Sequence, residues 1–161
     1  MEEEHSGYIK IKILDKNYTQ LLHENSDLDL STVFSLDKVQ KKEVISKESF
    51  AQLKKQKLVE GRYPNIYVSY KVANIVGQQT EYVKNKGLKN DVCKQIIINA
   101  LDTMGEASAG ELKEVLSGSL SAVLNDKQQS RKVSNILQAM KREGIADVDG
   151  VGHAARWYLK K

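Results

Sequence analysis

Apolar and charged side chains alternate near the start of the chain. In Tyr8-Ile-Lys-Ile-Lys-Ile-Leu14, the isoleucines at 9, 11 and 13 are separated by Lys10 and Lys12. A period of two predicts a half-buried strand. The period then becomes helical. Asp15 caps a helix to about residue 23, with Tyr18, Leu21 and Leu22 facing inward. Asp29 or Ser31 starts the next, to about residue 41, on a stripe of Val33, Phe34, Leu36 and Val39. Ser46 is a good N-cap for a third, to about residue 57. Gly61 and Pro64-Asn65 are turn residues, and Ile66-Tyr-Val-Ser69 is strand-like. Helices followed by a short hairpin predict a first winged-helix-like unit over 8–70. The leading strand would join its sheet.

Residues 71–89 are expected to form a helical connector, helical over 71–85 despite Gly77. A second winged helix-turn-helix unit is expected over 90–161. Asn90 or Asp91 caps its first helix, on which Val92, Ile96, Ile97, Ala100, Leu101 and Met104 recur at helical spacing before Gly105. Ser108-Ala-Gly-Glu111 has capping-box spacing, so a second helix runs to about residue 116. A short extra turn is expected around Leu120. The third helix covers 127–143, with Asp126 as N-cap and Gly144 as its stop. Strands follow at 145–148 and 155–159, with a glycine-rich tip at 149–154. The fold class is therefore mainly α with small β-hairpins, an α+β chain of tandem winged helix-turn-helix units.

Charge refines this picture. The chain's net charge of +4 is unevenly spread: −5 over 1–37, +6 over 38–71, −1 over 72–125 and +4 over 126–161. Two positive blocks suit a polyanion such as nucleic acid. They equally suit a solvated, lysine-rich surface. Residues 1–7 are expected as an acidic, disordered tail. They lack the apolar segment of a signal peptide. No apolar run reaches the ~20 residues of a membrane helix. Cys93 is the sole cysteine, which excludes an internal disulfide. A cytoplasmic location is expected.

The third helix of the second unit carries the functional argument. At about 100° per residue, Val133, Ile136, Leu137 and Met140 cluster on one face. Gln128, Arg131, Asn135, Gln138 and Arg142 cluster opposite. Arginine pairs with guanine, and Asn or Gln with adenine, through two hydrogen bonds in the major groove. These five form the expected base-reading face. Lys127, Lys132, Lys141, His153 and Arg156 are the expected phosphate contacts, joined by Lys47, Lys54, Lys55 and Arg62 of the first unit. Any amphipathic surface helix also has a polar face, and winged helices serve as protein-binding modules too.

Catalytic patterns are missing. No phosphate-binding loop is present, and Gly150-Val-Gly152 reads as a hairpin tip. His5, His23 and His153 have no ligand spacing, and Cys93 reads as a small buried side chain. Neither a metal nor a cofactor is expected, and the chain is not expected to be an enzyme. Trp157 reads as a core anchor. Ile96-Ile-Ile98 is apolar all round its turn, so one isoleucine should point away from its own core. That feature motivates the alternative, a protein-interaction or homodimer surface in 70–101.

Several phrases, Leu36-Asp-Lys-Val-Gln40, Leu58-Val-Glu-Gly-Arg-Tyr-Pro-Asn-Ile-Tyr-Val-Ser69 and Glu81-Tyr-Val-Lys-Asn-Lys-Gly87, together with the terminal helix and hairpin, resemble the C-terminal region of bacterial RecG-like, ATP-dependent DNA helicase-related transcriptional regulators. The resemblance runs from about residue 8 to the end. It implies a DNA-binding, regulatory role and brings no catalytic residues. The Schlafen/AlbA-type and GHKL-like N-terminal domains of that family are not recognisable here, so the chain resembles the tail of such a protein.

Overall fold

Two separate apolar clusters divide the chain. In a computed structural model, which describes residues 18, 21–23 and 28–161, residues up to Val83 belong to one unit and those from Lys84 to a second. The chain is mainly helical, with two small antiparallel sheets among the described residues. The expected 8–14 strand, and most of the helix expected after Asp15, lie outside them.

The first unit is built around Leu36, Leu53 and Val72. Helix α1 (Leu30–Gln40) starts at Asp29, whose carboxylate accepts from Thr32 N at 2.8 Å and fills an otherwise open amide at the helix start. The Thr32 side chain and then this backbone bond hold the Asp29 carboxyl below the usual carboxylate range. Helix α2 (Lys47–Lys55) is capped by Ser46 and buries Leu53. Strands β1 (Val59–Arg62) and β2 (Asn65–Val68) pair antiparallel, with Val59 opposite Val68. Gly61 lies inside β1, not in the turn. Its φ is +94°, and a Cβ there would sit 2.4 Å from Asn65 O, so only glycine lets the strands close.

The segment expected as a connector is two helices, α3 (Tyr70–Ile75) and α4 (Gln79–Lys86). Between them, Gly77 takes φ +70°, which a continuing helix cannot accommodate. Val72, Ala73, Val76 and Tyr82 are buried in the first core, which explains why this segment carries so many apolar residues.

The second unit runs through α5 (Asn90–Met104), β3 (Glu106–Ala107), α6 (Ala109–Val115), α7 (Asp126–Arg142), β4 (Ala146–Asp149) and β5 (Arg156–Leu159). Its sheet has the order β3-β5-β4, all antiparallel. Trp157 on the central strand lies opposite both Ala107 and Val148. It is buried with Ile97, Leu101, Leu112, Leu137 and Met140. Ser108 and Glu111 form the expected capping box. Two expected caps are corrected. Helix α5 begins one residue earlier, with Lys89 at its N-cap and no side-chain cap. Helix α7 is capped by Asn125 and not by Asp126, because Asn125 reciprocates with Gln128 three residues on. The 117–125 loop forms turns and no helix, although Leu120 is buried.

That loop is stitched to residues 84–88. Leu88 N donates to Ser119 O at 2.8 Å and Ala122 N to Lys84 O at 3.0 Å, and Ser121 donates its hydroxyl to Asn85 O. Gly87, at φ +67°, sits against this strap, and a Cβ would lie 2.5 Å from Ser121 N. Gly87→Ala combines left-handed strain of about 1–2 kcal/mol with that overlap against backbone. It is expected to lower the melting temperature read by Trp157 fluorescence. An unchanged melt would show that the strap does not support the second core.

Candidate nucleic-acid interface

Helix α7 is placed by its apolar face. Val133, Ile136, Leu137 and Met140 are buried, which turns the opposite side outward. Arg131, Asn135, Gln138 and Arg142 are all exposed there. Neither arginine has an ion-pair partner among the described residues. Gln128 differs from the other four. Its side-chain oxygen accepts from Asn125 N at 2.9 Å, so half of its amide is committed to the helix start.

The expected phosphate contacts divide more sharply. Lys127 is exposed and Lys132 half-buried, and neither has an ion-pair partner among the described residues. Lys141 is bound to Asp147 at 2.8 Å. Lys141 also holds the Asp147 carboxyl below the usual range. Arg156, another expected phosphate contact, is ion-paired within the unit. Its Nε donates to Glu106 at 3.1 Å and its Nη1 to Glu111 at 2.7 Å. These carboxylates raise the guanidinium's affinity for its proton. The Glu111 carboxyl is held below the usual range first by its capping bond from Ser108 N. Arg156 therefore fastens β5 to β3 and to the start of α6. His153 is exposed in a short 3₁₀ turn, Gly152–Ala154, beyond β4.

In the first unit, Lys47, Lys55 and Arg62 are exposed. Lys54 donates to Gly61 O at 3.3 Å, tying α2 to β1. Lys55 lines a shallow groove of about 370 Å³ with Asp29 and Gln52, so an acidic residue shares its surroundings.

One part of the site has no signal in the sequence of α7. The first turns of α5 form the facing wall of an open groove of about 680 Å³. Asn90, Asp91 and Lys94 line that wall. Arg131, Lys132, Asn135 and Arg142 line the other, and Leu124, Ile136 and Ala139 supply apolar surface. Lys94 Nζ donates to both oxygens of Glu143, at 2.7 and 2.8 Å, and ties α5 to the end of α7.

Among the described residues, no group of three or more His, Cys, Asp or Glu could hold a metal ion. Cys93 is buried, and burial pushes its thiol up, so it stays protonated. No helix among the described residues is long and apolar enough to cross a membrane. The isoleucine run is also corrected. Ile97 is buried, and both Ile96 and Ile98 pack on the same second core. Val92 and Met104 are the more exposed apolar side chains of α5. No protein-family model matches the chain, and neither does any curated protein or solved structure.

Proposed function

We propose that the chain is a duplex-DNA-binding module whose second unit is a winged helix-turn-helix, with α7 reading the major groove. The order helix, strand, helix, helix, strand, strand, with the last strand central in a three-stranded antiparallel sheet, supports this reading of the second unit. The observation that carries the function is the outer face of α7. Arg131, Asn135, Gln138 and Arg142 are exposed together, and no carboxylate among the described residues claims either arginine. A helix meant only to be solvated commonly mixes acidic residues into such a face. Here none occurs between Asp126 and Glu143.

Fluorescence anisotropy of a labelled duplex, titrated between 50 and 200 mM salt, tests the proposal. Each phosphate contact contributes a log–log slope of about −0.9. Contacts from Lys127, Lys132 and one arginine therefore predict a slope of about −3. A flat response, or no binding at low salt, would overturn it.

A further inference from the structure

We propose that the duplex backbone follows the groove between α7 and the start of α5, and that the loop between β4 and β5 stays clear of DNA. This rests on the reading of α7 as a DNA-binding helix. It departs from the expected placement of a phosphate strand on the hairpin.

The distribution of unspent charge carries the inference. Lys141, Lys160 and Arg156, the cations on and beside the hairpin strands, each face a carboxylate. Lys141 and Lys160 share Asp147, at 2.8 and 3.7 Å, which leaves that trio one surplus positive charge. Arg156 is shared by Glu106 and Glu111, so that trio carries one surplus negative charge. Asp149 accepts from Gly150 N and remains an exposed carboxylate. The tip offers Val151, 86% exposed, and an exposed His153. Taken together, Lys141, Lys160 and Arg156 with Asp147, Glu106, Glu111 and Asp149 present one surplus negative charge to a phosphate approaching this hairpin.

The other flank of α7 has the opposite character. On the helical wheel, Lys132 and Ala139 lie on the α5 side of the reading face and Lys141 on the β4 side. Arg131, Lys132 and Arg142 line the groove without ion-pair partners among the described residues. The first and last lie eleven positions apart, or about 16 Å of helix, a length over which one strand of a duplex carries several phosphates. Leu124 and Ala139 give sugar carbons an apolar surface. Asp91, exposed on the facing wall, has no ion-pair partner among the described residues and would repel the strand.

Charge insertion separates the two routes. Asp91→Lys and Val151→Lys both alter exposed positions. The proposal expects Asp91→Lys to tighten binding at low salt and steepen the slope by about 0.9 or more. Val151→Lys should leave both unchanged. Steepening by Val151→Lys, alone or together with Asp91→Lys, would overturn the proposal by placing the strand on the hairpin. If the parent chain binds with salt dependence and neither variant changes it, the groove is not the backbone's path. Failure of the parent chain to bind, or a flat salt response, would instead overturn the DNA-binding reading itself.

Discussion

Leu137→Ala is expected to lower the midpoint of the Trp157 fluorescence transition by about 10 °C or more. Leu137 is fully buried and belongs to the cluster that holds Ile97, Leu112 and Trp157. Truncating a buried leucine removes its transfer free energy and leaves a cavity, at a cost of about 2–5 kcal/mol. In a domain of this size each kcal/mol moves the midpoint by roughly 4–8 °C. Trp157 is the chain's single tryptophan, so its emission reports the second core. Leu36→Ala provides the matched control. Leu36 is equally buried, but in the first cluster, and its loss should move the Trp157 transition by no more than a degree or two, about the scatter of repeated melts. Equal shifts from both substitutions would mean that the two cores melt as one cooperative unit.

Most of what could be read in advance came from local periodicity. Helix α7 announces itself because four apolar residues recur at 3.6-residue spacing beneath a polar face. The Ser108–Glu111 box is also local, since both partners lie within one turn. Asn125 was missed as a cap because Asp126 beside it is an equally good acceptor; the three-residue spacing to Gln128 was the available signal. Strand β3 has only two residues, too few for alternation to register. It exists because β5 offers a ladder, which is a tertiary cause. The candidate site divides the same way. Its exposed face follows from the wheel. Its groove and its spent cations depend on partners 45 to 50 positions apart, such as Arg156 with Glu111 and Glu106, or 49 apart for Lys94 with Glu143. Counting charge by sequence block gives the last 36 residues a positive balance. It cannot reveal that the charge of Arg156 is neutralised from β3 and α6.

Arg131→Ala combined with Asn135→Ala should abolish most site preference while leaving the fold intact. The two lie one turn apart on the exposed face, and neither side chain bonds to another described residue, so thermal stability should change little. Each lost bidentate pair with a base costs about 1–3 kcal/mol of discrimination. Together they should reduce preference by roughly 30-fold or more, measured as affinity for a duplex selected from a random pool by the parent chain, relative to a scrambled duplex of equal length. The salt slope should fall by at most about one, because Lys127, Lys132 and Arg142 remain to contact phosphates. Asn125→Ala is the informative contrast. It removes the α7 cap and is expected to cost about 1 kcal/mol of stability while leaving the reading side chains in place, so its preference should be retained at temperatures where the fold persists. If the double variant keeps the parent's preference, α7 is not the reader. If Asn125→Ala loses preference equally, the effect belongs to helix integrity, and base contacts by Arg131 and Asn135 are no longer needed to explain it.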